Sequence, residues 1–156
     1  MSLNAKTSVY TNASCKSFLN AVKSAQAVLK KAGATADQYA AAEKALKKAQ
    51  KALKKKKANT LKVKTKTVTI KVKTLKKKAQ AVNVKKAFAV SKAKGAVTYT
   101  KAGGNKKITI AKAGKITVGK GLKAGTYKLK VKVKAAGNGS FKPLTKTVTV
   151  KIVIKK

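Results

Sequence analysis

Acid–base chemistry in this chain would have to come from Asp37 and Glu43, its only acidic side chains, because it contains no histidine. A general acid or base needs a group that titrates near neutrality or a tuned carboxylate beside a partner. Asp37 and Glu43 lie six residues apart in one helical stretch, a spacing that does not share a helix face well. Their ordinary roles there are to suit a helix N-terminus and to pair with a lysine four positions on, Glu43 with Lys47. Cys15 is the only cysteine, so an internal disulfide is impossible. Lys16 beside it would favour a thiolate, but Cys15 falls in register with Phe18 and Val22 and reads as a small buried thiol. A metal needs clustered Cys, His, Asp or Glu, and the sequence offers none. Gly119-Lys-Gly121 has the glycines of a phosphate cradle without the rest of a P-loop, and reads as a hairpin turn. The residues therefore imply no enzyme, no cofactor and no metal site.

What remains is lysine. There are 41 Lys+Arg against 2 Asp+Glu, a net charge of +39, and every cation is lysine. The lysines seldom form blocks. Tyr127, Leu129, Val131 and Val133 alternate with Lys128, Lys130, Lys132 and Lys134, and Lys62, Lys64 and Lys66 alternate in the same way. Period-two alternation sends one set to an apolar core and the other to water or an anion. These seven lysines are the candidate polyanion-binding residues. A second role for the rows is to solvate strand faces and discourage edge pairing. The partners implied are wall teichoic acid, acidic glycans, an anionic capsid surface, or nucleic acid bound nonspecifically at low salt. Sequence-specific nucleic-acid reading normally uses arginine forks and exposed aromatics. Here arginine is absent, and Phe88, Tyr99, Tyr127 and Phe141 fall on apolar sides of strands.

The elements that carry these residues divide into two modules, 1–58 and 59–156. Residues 1–11 form a short polar lead. Helices are predicted over about 13–32 and 36–56. The first starts near Asn12 or Ser14 and has one face of Cys15, Phe18, Val22, Ala25, Leu29 and Ala32, ending at Gly33. The second opens on the capping box of Thr35 and Gln38 and presents Tyr39, Ala42, Leu46, Ala49 and Leu53. A short connection makes them an antiparallel helical hairpin. Ala58 and Asn59 form the joint.

Beyond it the period becomes two. Strands are predicted over 61–64, 67–73, 81–84, 88–91, 96–100, 107–111, 115–118, 127–134 and 145–154, with glycine turns between them. That is the pattern of an all-β immunoglobulin-like sandwich, making the chain α+β as two modules. Residues 65–71, TKTVTIK, match residues 145–151, TKTVTVK, in all but one position. Equivalent pairing strands of one domain, a relic of a tandem copy, or convergent composition all account for the echo.

The stretches LKKKAQAVNVKKAFAVSKAKGAVTY (75–99), GKITVGKGLKAGTYKLKVKVKAAGNGSFK (114–142) and TKTVTVKIVIK (145–155) resemble the bacterial immunoglobulin-like, cadherin-like repeats of lysine-rich Gram-positive surface proteins. The helical stretch FLNAVKSAQAVLKKAGATADQYAAAEKALKKAQKAL is similar to the helical-hairpin modules of the "found in various architectures" type. The resemblance implies a structural or adhesive module displayed at the cell surface. It does not extend to cadherin calcium sites or Lys–Asn isopeptide bonds, since both need carboxylates and residues 59–156 contain none. The opening MSLNAKTSVYTNASCK lacks the apolar core of a signal peptide, and Asn12 stands where a lipoprotein cysteine would be preceded by leucine. Removal of a signal peptide would leave an extracellular, surface-bound protein. Otherwise a phage virion decoration or tail protein, or a nucleic-acid-coating polycation, fits the same residues.

Overall fold

The computed structural model describes residues 8–156. The chain has mixed helices and strands and separates into two compact units, one of Met1–Lys57 with Gly139–Lys142, the other of Ala58–Asn138 with Pro143–Lys156. The polar lead read over 1–11 lies outside the described residues as far as position 7.

The first unit is built on helices α1 (Asn12–Lys30) and α2 (Ala36–Lys51), joined by residues 31–35 and packed on each other. The N-cap of α1 is Thr11, not Asn12 or Ser14. Its hydroxyl accepts the Ser14 amide at 3.4 Å, which makes Ser14 the third helical residue. The Ser14 hydroxyl is then free to accept the Lys54 amide at 3.2 Å. In α2 both halves of the capping box form: the Gln38 amide donates to the Thr35 hydroxyl and the Thr35 amide to the Gln38 side chain.

Helix α2 stops at Lys51, five residues short of the predicted 56. Continuing it would stack the ammoniums of Lys54 and Lys55 on that of Lys51, three and four positions back. The backbone instead pairs in extended form. Thr11 donates to the Lys54 carbonyl at 2.7 Å, Lys56 to Val9 at 2.8 Å, and Lys57 to Ser140 at 2.8 Å. Phe141 lies in this unit, bridged to Lys57, and not on a strand face of the second. Cys15 is the buried side chain of α1, whereas Leu29, on the same face, is exposed.

Among the described residues the second unit holds nine strands: β1 (Lys62–Thr65), β2 (Val68–Lys71), β3 (Gln80–Val82), β4 (Phe88–Ser91), β5 (Val97–Gly104), β6 (Ile108–Ile110), β7 (Ile116–Val118), β8 (Gly125–Ala135) and β9 (Leu144–Lys155). They form open sheets ordered β1-β4, β2-β9-β8-β5 and β3-β7-β6. All pairs are antiparallel except β2 with β9, which run parallel. One hydrophobic cluster takes side chains from all three sheets, including Phe88, Tyr99, Ile108, Ile116, Leu129, Val131, Val150 and Ile152. Full burial of each such aliphatic side chain is worth about 1.5–3 kcal/mol, and together they hold the strands.

Two short helices cut into the ends of stretches read as strand, at residues 72–73 and at Val84. Helix α3 (Val72–Lys77) takes over the end of the predicted 67–73 strand, because a turn of helix brings Leu75 fully into the core where extended chain would carry it past. Helix α4 (Val84–Ala87) opens at Asn83, whose side chain accepts the Lys85 amide at 3.0 Å, and buries Ala87. Gly119-Lys-Gly121 is not a hairpin turn. It leads from β7, in the three-stranded sheet, to β8, in the four-stranded one. Asn59 is buried; its amide clamps Lys94 through bonds of 2.9 and 3.1 Å to the backbone carbonyl and N–H.

A candidate polyanion-binding face

Strand β8 alternates without a break from Lys128 to Lys134. Leu129, Val131 and Val133 are fully buried, and Lys128, Lys130, Lys132 and Lys134 are exposed. Hydrogen-bonded neighbours place this row between two others. On β9, Lys151, Thr149, Thr147 and Thr145 stand opposite Lys128, Lys130, Lys132 and Lys134 in turn. On β5, Thr100 and Thr98 stand opposite Lys132 and Lys134. At the far edge Lys71 of β2 stands opposite Lys155 of β9. Lys130 stands opposite Gly103 on β5, so the face is a central file of ammonium groups with threonine hydroxyls along β9, threonine hydroxyls on both sides at Lys132 and Lys134, and further ammoniums at one end.

The seven nominated lysines are carried by two different sheets and the segment after β1. Lys62 and Lys64 lie in the β1-β4 sheet, opposite Ser91 and Ala89. Lys66 follows β1, its ammonium 3.5 Å from the Lys85 carbonyl. The Lys128–Lys134 set is a single file on another sheet. Reading one strand at a time missed Lys151, Lys71, Lys155 and the threonines. The alternation in TKTVTVK put them on an outer face, but only the strand register shows which row they border.

The other nominated chemistry falls apart in space or is used structurally. The Gly119 amide donates to the Lys107 carbonyl at 2.7 Å and the Gly121 amide to the Leu75 carbonyl at 3.2 Å, so neither is available to a phosphate. Asp37 sits in the first turn of α2. Glu43 pairs with Lys47, whose hydrogen bond and then charge hold the carboxyl below its usual pKa. Burial pushes the Tyr99 phenol above its usual value; its ring packs on Phe88, with centroids 5.2 Å apart. Among the described residues no group of three or more His, Cys, Asp or Glu is placed to hold a metal ion. No described helix is long and apolar enough to cross a membrane.

No protein-family model matches this chain, and no curated protein matches its sequence.

Proposed function

We propose that this protein is a non-enzymatic structural and adhesive module, displayed at a surface, that holds anionic polymers on the outer face of its four-stranded sheet. The observation that carries this reading is the lysine file of β8, bordered by Lys151 in a unit with no acidic side chain to neutralise it. Such a face gains by recruiting anions, because each bound phosphate or carboxylate relieves repulsion that the fold otherwise bears. In this reading the second unit is an immunoglobulin-like sandwich of the bacterial surface-repeat kind. A core shared by the sheets, and a chain that passes from one to another at residues 119–121, support it. The helical hairpin then serves attachment or spacing, and the setting is the outside of a Gram-positive cell.

Coating of nucleic acid is the second reading, favoured by the net charge of +39. Forty-one lysines release counterions from any nucleic acid and bind it at low salt. Competition at physiological salt separates the two. Labelled protein offered Gram-positive walls, with and without teichoic acid, should stay on the teichoic-acid-bearing walls despite excess duplex DNA. K128E/K130E/K132E/K134E should release it while leaving the folded spectrum intact. Complete transfer to DNA would overturn the adhesive reading in favour of the nucleic-acid one.

A further inference from the structure

Resting on that reading, we propose that the β8 file and its threonine borders form a site for a linear polyol phosphate of the poly(glycerol phosphate) type, laid along the strand with one phosphodiester per lysine. The first argument is spacing. Lysines two apart on one strand face emerge about 6.8 Å apart. Two residues of extended polypeptide contain six backbone bonds, and so does one glycerol phosphate repeat, counted from phosphorus to phosphorus. Extended chains with equal bond counts advance by similar distances. Phosphates along such a polymer therefore stay in step with Lys128, Lys130, Lys132 and Lys134. A ribitol phosphate repeat has eight backbone bonds and drifts out of step after the first lysine.

The second argument is the border. Adjacent strands lie about 4.8 Å apart, so Thr149, Thr147 and Thr145 on one side, and Thr100 and Thr98 on the other, flank the path of the phosphates. A threonine hydroxyl both donates and accepts, which suits phosphate oxygens and polyol hydroxyls alike. Lys132 and Lys134 are bordered on both sides; among the described residues the other nominated row is not, since Lys62 and Lys64 face Ser91 and Ala89 and β1 pairs with β4. The third argument is what the face lacks. Single-stranded nucleic acid shares the six-bond repeat but is normally held by base stacking on exposed aromatics. Phe88 and Tyr99 are buried, and Tyr127 has the inward parity of Leu129. The face offers bases no platform.

The test measures affinity of the full chain for glycerol phosphate oligomers of increasing length, for ribitol phosphate oligomers with matched phosphate counts, and for oligothymidylate, at about 0.15 M salt. Glycerol phosphate should win by tenfold or more, with affinity rising stepwise to four phosphates and then levelling. Its salt slope should approach about −3, from ~−0.7 per phosphate neutralised. K128Q/K130Q/K132Q/K134Q should remove most of that slope. K30Q/K44Q/K48Q/K51Q, which has the same net charge but alters the helices, should change affinity less than twofold. T145V/T147V/T149V should weaken binding of both polyol phosphates while the fold, and the preference for glycerol phosphate set by the lysine spacing, stay intact. Equal binding of the two polyol phosphates, still dependent on the β8 file, would overturn the spacing argument and leave the adhesive reading standing. Tighter oligothymidylate binding would overturn the polyol assignment in favour of single-stranded nucleic acid. Equal losses in the two quadruple variants, or no binding of any polymer, would overturn the site and the adhesive reading together.

Discussion

Lys128 of β8 stands directly opposite Lys151 of β9, two exposed ammonium side chains on one face of one sheet. Directly opposed residues in an antiparallel pair have Cβ atoms about 4.5–5.5 Å apart, and like charges there are destabilising. On the next pair of strands Lys71 and Lys155 repeat the arrangement. The fold tolerates this because the opposite faces of the same strands are fully buried: Leu129, Val150 and Ile152 are each 0% exposed. Stability and charge are thus separated residue by residue along β8 from Lys128 to Lys134, one parity holding the sheet and the other opposing it.

Lys151→Thr should therefore stabilise the protein at low ionic strength. The substitution extends the threonine file of β9 by one position and leaves Lys128 opposite a hydroxyl. A gain of about 0.2–1 kcal/mol is expected near 0.01 M salt, the usual size of a cross-strand pair effect. It should fade as added salt shortens the Debye length from about 30 Å to about 3 Å at 1 M. Urea denaturation at the two ionic strengths measures it, urea being uncharged. The wild type should itself gain stability with salt. A wild-type midpoint indifferent to salt would mean that the lysine files do not strain the fold.

Gly95 makes a sharper structural prediction. Its φ is +84°, and an added Cβ would come 1.9 Å from the Gly137 carbonyl oxygen. Around it the Gly137 amide donates to the Lys94 carbonyl and the Ala136 amide to the Ala96 carbonyl, both at 2.9 Å. The Asn59 side chain holds Lys94 from the other direction. Gly121 also has a positive φ, +78°, but its Cβ would meet only the flexible end of Lys107 at 3.6 Å. Gly121→Ala should cost the left-handed penalty alone, about 1–2 kcal/mol. Gly95→Ala should exceed it by about 2 kcal/mol, since the two neighbouring backbone bonds must shift as well. Equal costs by urea denaturation would show that this junction yields without losing its hydrogen bonds.

Why so many of the strand positions were legible follows from β8, where Tyr127 to Lys134 alternate apolar residues with lysine, a two-residue period that belongs to a strand. Helices α3 and α4 were not legible. Val72, Leu75 and Val84 sit among lysines with too few apolar neighbours to display a helical period, and the core's demand for Leu75 decides the local conformation. The end of α2 was misread for a related reason. Lysine is a good helix former, so the run at 54–57 looked helical, whereas pairing with Val9, Thr11 and Ser140 claims that backbone. The site was half legible: the β8 file is a one-strand pattern, but its threonine borders follow from register, which a single strand does not encode. The echo between 65–71 and 145–151 illustrates the limit. The two segments do fall on neighbouring strands, yet Val68 pairs with Ile152 and not with Val148, its counterpart in the echo.

Tyr99 makes the stability of the fold sensitive to alkali. Tyr99 is 8% exposed and its ring packs on Phe88, so the charged phenolate is disfavoured in the folded state and the phenol holds its proton above the ordinary value of 10. The folded form then binds a proton that the unfolded form releases. The contribution is complete below about pH 10 and is lost as pH rises through the raised folded value. Tyr99→Phe keeps the packing and removes the ionisation. Its stability relative to wild type should be constant below about pH 9 and should move in the variant's favour above about pH 10. Absorbance titration of the phenolate should show, in the wild type alone, a component beyond the usual phenol range. A variant whose stability tracks the wild type across this window, with that component still present, would show that the Tyr99 phenol reaches solvent in the folded protein and that the Phe88–Tyr99 packing leaves its edge of the core open.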